Sequence, residues 1–191
     1  MSKTARTRVA SPARVLLRLP RDLHRTISRT AAAAGLSFNE YCVRRLAAPG
    51  EADAASAGSI VCARARSIFG ARLAGVAALG SWARGEAGRG SDLDVLIVID
   101  PAVSLTRDLY RKWDATPLVV DGRQVDAHFA HLPPAAAALT AVWCEVAVDG
   151  LLWYDRDGDV ARRLTRVRRE IADGRVVRAF AHGQPYWKGA A

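Results

Sequence analysis

The chain has 191 residues, half of them apolar and a quarter charged, which suits one compact domain plus a small module and excludes a disordered chain or a large multidomain enzyme. Its longest apolar runs fall short of the roughly 18 to 20 residues a bilayer span needs. The basic start is followed only by VLLRLP, which Arg18 interrupts, so neither a transmembrane helix nor a signal peptide is expected. The net charge of +9 is uneven: residues 1–50 carry +8, residues 51–159 carry −5 and residues 160–191 carry +6, so two different tasks share the chain. Cys42, Cys62 and Cys144 lie far apart with no C-x-x-C spacing, and they read as reduced thiols in a cytoplasmic protein.

In chain order, residues 14–19 read as a strand ended by Pro20, with Arg14, Leu16 and Arg18 on one face and Val15, Leu17 and Leu19 on the other. Leu23, Ile27, Ala31 and Ala34 then recur at helical spacing, and Gly35 is placed to end that helix. Ser37 opens a second helix, with Glu40 three residues on in capping-box spacing and Phe38, Cys42 and Leu46 on one face. A strand and two helices in about 35 residues bury too little to stand alone. Two copies that paired their strands into a ribbon would cure that. The text VLLRLPRDLHRTISRTAAAAGLSFNEYCVRRL, residues 15–46, resembles the ribbon-helix-helix DNA-binding family of the Arc, MetJ and HicB-antitoxin type. The resemblance implies a homodimer on an operator, with Arg14, Leu16 and Arg18 reading base edges and Ser37 and Asn39 at the DNA backbone. Leu16 departs from the family's usual polar reader at that position.

Residues 47–58, AAPGEADAASAG, are small and polar and read as a flexible joint. The expected division is therefore a module at 1–48, a linker at 49–58 and a second domain at 59–191. In that domain the pattern predicts a helix over 60–71, a strand over 75–79, a Gly80-Ser81 turn into a short helix, and a strand over 93–99. A helix over 105–114, a strand over 124–130, a helix over 135–148, a strand over 151–154 and a basic helix over 160–172 follow, before a tail containing HGQPYW. Such alternation indicates an α/β layer structure.

The chemistry sits in LGSWARGEAGRGSDLDVLIVID. Gly80 permits a sharp turn and close approach to a ligand, and the N–H groups after Ser81 favour phosphate. Asp92 and Asp94 head the next strand on one face, about 7 Å apart by strand rise, and would repel without a divalent cation between them. Asp126 in Gln-Val-Asp-Ala-His is a third acid on a strand able to pair nearby, so three carboxylates face a phosphate-gripping turn. Asp121 competes with it but belongs to a D-G turn. His128 shares the face of Asp126 and is open to two readings, a residue that approaches the metal or, the commoner case, a packed strand residue. Trp82, Trp113, Trp143 and Trp153 read as core or groove anchors, and Arg162 to Arg169 as a solvated helix face or, the minority reading, a contact for RNA or triphosphate.

The GS-x10-DxD pattern resembles the DNA polymerase β-like nucleotidyltransferase superfamily, closest to its minimal nucleotidyltransferases, over about residues 60–160. The resemblance implies an α/β (α+β) fold with a mixed sheet, a nucleoside triphosphate donor such as ATP, and two Mg²⁺ ions, with Mn²⁺ an alternative. It makes Asp92 and Asp94 metal ligands, Asp126 the third ligand or the base for the acceptor hydroxyl, Gly80 and Ser81 the triphosphate holders and Arg84 a phosphate contact. It also brings a candidate acceptor, a tyrosine on a partner toxin protein, with the N-terminal module repressing the shared operon. Small molecules and RNA ends are other possible acceptors. The alternative is a ribbon-helix-helix regulator whose second domain only binds nucleotide or a partner.

Overall fold

The computed structural model describes residues 16–33, 35–47, 51–134, 137–181 and 184–189. At its centre is strand β2 (Leu93–Ile99), apolar throughout except for Asp94, which is also its one residue not fully buried. Such a run suits a strand covered on both faces. It pairs antiparallel with β1 (Leu73–Ala78) and parallel with β4 (Arg123–His131). With β3 (Val119–Val120) beyond β4 and β5 (Leu151–Asp155) beyond β1, the mixed five-stranded sheet has the order β3-β4-β2-β1-β5. The D-G pair between β3 and β4 makes the expected turn, with Asp121 at φ 51°.

Alternate residues feed two cores. Leu93, Val95, Ile97 and Ile99 join Val61, Ala65 and Phe69 of α3 (Glu51–Phe69), and Leu109 and Trp113 of α5 (Arg107–Asp114). On the opposite face Leu96 and Val98 meet α6 (Ala141–Asp149) and α7 (Asp159–Ala172) through Trp143, Val146, Leu164 and Val167. Trp82, Trp113 and Trp143 are core residues, and Trp153, partly exposed, packs edge-on to Trp82. The three cysteines carry free thiols, Cys62 and Cys144 buried. Among the described residues no helix is long and apolar enough to cross a membrane.

Several expectations are corrected. The stretch read as a flexible joint is helical from Glu51 onward, and residues 48–50 lie outside the described residues. Two of its small residues serve packing: Ala57 is buried, and a Cβ on Gly58 would lie 2.7 Å from the Trp153 ring. The helix expected from residue 135 begins at Ala141, since residues 137–140 are not helical and Thr140 takes extended backbone at the N-cap; residues 135–136 lie outside the description. The basic helix is not wholly solvated. Arg163 is buried with its guanidinium on the carbonyls of Pro134 and Ala137, and Arg168 donates to the carbonyl of Ala147. The tail forms a hairpin, β6 (Val176–Ala181) and β7 (Gln184–Gly189), fastened by Trp187 Nε1 donating to Glu145 at 2.8 Å.

In the N-terminal part, α1 (Arg21–Ala33) and α2 (Phe38–Ala47) form as expected. Gly35 at φ 71° closes α1, and the Leu36 amide returns to the carbonyl of Ala31, satisfying a helix-end acceptor. The Glu40 amide donates to Ser37 Oγ at 3.1 Å, so Ser37 caps α2. Residues 16–20 carry no regular structure, while Arg14 and Val15 lie outside the described residues. A ribbon strand is defined by the ladder of its partner, and a single chain supplies none. The end of α1 docks on the body: Ala31 is buried, and Ala33, Leu36 and Tyr41 pack against the core shared by α6 and α7.

Candidate active site

The parallel register of β2 and β4 sets Asp94 opposite Asp126 and Leu96 opposite His128. Because alternate strand residues share a face, Asp94, Asp126 and His128 project on the same side of the sheet, at the end where both strands begin. One ligand atom of each lies within 4.8 Å of the others. His128 Nε2 is 3.8 Å from Asp94 Oδ1 and 3.9 Å from Asp126 Oδ2. The Asp94 carboxylate foremost, with the charges of Asp126 and Asp94 adding and partial burial opposing, holds the His128 pKa above its ordinary value. Two anionic oxygens and an imidazole nitrogen this close form a donor set suited to a divalent cation. His128, expected to be packed, is thus half-exposed and part of the acidic group.

Asp92 is placed differently. It precedes β2, which begins at Leu93, is exposed, and stands outside that close group. It belongs to the loop between α4 (Gly80–Ala83) and β2. One guanidinium organises that loop: Arg123 donates to the carbonyls of Gly88 at 2.8 Å, Ser91 at 2.9 Å and Ala87 at 3.4 Å. Ser91 Oγ also accepts the Gly88 amide at 3.1 Å. Sequence reasoning missed Arg123, because its contacts span more than thirty positions and leave no local pattern.

The Gly80-Ser81 turn leaves the sheet at the same end, since β1 runs antiparallel to β2 and the Leu79 amide donates to the Asp94 carbonyl at 3.0 Å. Gly80 sits at φ 73°, and a Cβ there would overlap Asp94 Oδ2. Only glycine meets both demands: the left-handed backbone and the carboxylate lodged against it. Ser81 is partly exposed at the start of α4, and its carbonyl accepts the Glu86 amide at 2.8 Å. Arg84, expected at phosphate, is paired with Glu86 at 2.7 Å. Of the N-terminal candidates, Leu16, Arg18, Ser37 and Asn39 are all exposed, and Arg14 lies outside the described residues.

Two protein families match the chain: "Nucleotidyltransferase domain" over residues 62–136 and "HicB family" over residues 13–46. No curated protein matches it. Among solved structures, one of a toxin-antitoxin with AMP-PNP is similar at 16% identity and TM-score 0.39, covering 58% of this chain and 82% of that one. Another, a mutant of the toxin-antitoxin MntA-HpeT, is similar at 13% identity and TM-score 0.36, covering 56% of this chain and 81% of that one. The nucleotidyltransferase match contains Gly80, Asp94, Asp126 and His128, so the donor group and the glycine turn lie in one family domain. Residues 62–136 match the nucleotidyltransferase domain family, which supports a transferase activity, and residues 13–46 match the HicB family.

Proposed function

We propose that the chain transfers a nucleoside monophosphate from a nucleoside triphosphate, ATP first among the candidates, to a hydroxyl acceptor on a partner toxin protein. In the same reading its N-terminal module pairs with that of a second copy and binds operator DNA, so a cytoplasmic antitoxin would also control its own synthesis. The division into an N-terminal module ending near residue 48 and a catalytic domain that opens with α3, in place of a joint at 49–58, belongs to this proposal.

The observation that carries it is the pairing of Asp94 with Asp126 across parallel strands, with Gly80 against the Asp94 carboxylate. Asp94 and Asp126, joined by His128, would hold divalent metal, Mg²⁺ or Mn²⁺; Asp92, on its loop, would have to turn inward to share a second ion. Bound there, a divalent cation supplies charge neutralisation for the triphosphate and for charge that develops during transfer. The chain's own contribution is positioning. The backbone N–H groups after Gly80 and Ser81 donate to phosphate oxygens, and Arg84 can reach them once it leaves Glu86. The acceptor oxygen bonds to the α-phosphorus as the bond to pyrophosphate breaks, and the hydroxyl proton passes to the Asp126 carboxylate.

For the N-terminal module, the HicB match and a cluster of open apolar side chains support pairing with a second copy. Leu16, Leu17, Leu23, Val43 and Leu46 are all exposed. Arg14, Leu16 and Arg18 would read bases from the ribbon, with Ser37 and Asn39 at phosphate.

The test incubates the chain with labelled ATP, Mg²⁺ and the product of the neighbouring gene. Label on that protein, lost in Asp94→Asn and Asp126→Asn, is the expected result, and loss in Asp92→Asn as well would restore that residue to the site. No transfer from ATP, GTP, CTP or UTP, together with tight operator binding, would replace the enzyme with a DNA-binding regulator.

A further inference from the structure

We propose that His128 Nε2 is itself a metal ligand, and that the site therefore prefers an ion that accepts nitrogen, such as Mn²⁺, over Mg²⁺. This rests on the reading of the site as a metal-dependent transferase and adds to it the class of ion.

The geometry supports direct ligation. Two ligands of one first-row divalent ion lie about 2.1 Å from it and so at most about 4.2 Å from each other. His128 Nε2 stands 3.8 Å from one carboxylate and 3.9 Å from the other, which is too long for a hydrogen bond and within that span. All three ligand atoms lie within 4.8 Å of one another. The side chain is 48% exposed, whereas its neighbours Ala127 and Phe129 are buried on the opposite face, so packing does not account for its placement. The other histidine of β4, His131, illustrates a structural role: its Nε2 is engaged with the Val103 carbonyl at 2.8 Å.

The donor balance points the same way. An all-carboxylate site offers the hard oxygen ligands that Mg²⁺ takes. Here Asp92 stands apart on its loop, and the third position beside Asp94 and Asp126 is an imidazole. Imidazole suits first-row transition ions, and Mn²⁺, although it shares the oxygen preference of Mg²⁺, takes a nitrogen ligand more readily than Mg²⁺ does.

The test uses the full chain with Mn²⁺ as the probe and pulsed electron paramagnetic resonance as the readout. Nitrogen hyperfine coupling to bound Mn²⁺ is expected in the native chain. It should change when only histidine carries the heavy nitrogen isotope, and vanish in His128→Ala. His128→Ala should also weaken Mn²⁺ about tenfold or more while shifting Mg²⁺ affinity far less. Absence of nitrogen coupling in the native chain, coupling that survives in His128→Ala, or failure of Mn²⁺ to bind would each overturn the proposal. Transfer activity is scored separately. Asp94-dependent transfer without nitrogen coupling would remove His128 from the ion and leave the transferase reading intact, and coupling without any transfer would do the reverse.

Discussion

The N-terminal module and the α/β body dispose of the same kinds of side chain in different proportions. In residues 16–47 five large apolar side chains stand exposed, and Arg18, Arg21, Arg25 and Arg29 make no ion pair among the described residues. In the body, Arg84, Arg123, Arg156, Arg162 and Arg163 are each held by a carboxylate or a carbonyl, and the sheet is covered on both faces. Apolar surface and unpaired cations left open on a short segment are what a second chain and a polyanion would complete. The body also exposes Ile60, Leu105, Tyr110, Val119, Leu152 and Tyr186, but these are spread over a much longer stretch around a sheet covered on both faces, and its acidic corner is where Asp94, Asp126 and His128 meet.

The comparison can be broken first at that corner. Gly80→Ala should lower transfer by about a hundredfold, because the added Cβ displaces the Asp94 carboxylate and a shift near 1 Å can cost that much. The positive φ adds about 1–2 kcal/mol of destabilisation, read as a lower Tm. Activity close to that of the native chain would show that the carboxylate need not lie against the turn. The module is tested next. Leu17→Asp should weaken self-association about tenfold or more, since burying a leucine contributes roughly 1.5–3 kcal/mol, while the body keeps its circular dichroism and its transfer rate. Sedimentation that shows no change would make the exposed leucines incidental. A smaller effect sharpens the account of the loop. Arg123→Ala should raise KM for the triphosphate about tenfold with little change in kcat, and Arg123→Lys should recover part of it. An equal fall in kcat and kcat/KM would place Arg123 in the transition state instead.

The smallest expected effect concerns pH. The folded pKa of His128 is raised, so the stability it contributes without metal is fully present below its unfolded value, near pH 6.5, and fades as pH rises through the folded value. In EDTA the native chain should therefore exceed His128→Asn in Tm at pH 5.5, and the gap should close by pH 8.5. A gap that widens with pH would mean the imidazole is held neutral.

How much of this was legible in the sequence depended on how local each cause is. Leu93–Ile99 announced itself as a strand because Val95–Ile99 are five adjacent apolar residues, and the turns at Gly35, Gly80 and Asp121 are local chemistry. The partnership of Asp94 with Asp126 was readable as a possibility, and strand register made it specific. Residues 51–58 misled because small polar composition serves a linker and a tightly packed helix equally, and only Trp153 against Gly58 distinguishes them. Arg163 looked solvated because a run of arginines hides which member turns inward. The final hairpin and the Arg123 clamp depend on contacts distant in sequence, such as Trp187 with Glu145, which periodicity does not register.

The central claim is that Asp94 and Asp126 act as one unit. Transfer rates of Asp94→Asn, Asp126→Asn and the double variant test it most directly. If the two carboxylates hold the same ion, each single change should cost about a thousandfold and the double change little more. Losses that multiply would show two carboxylates acting independently and would contradict the account.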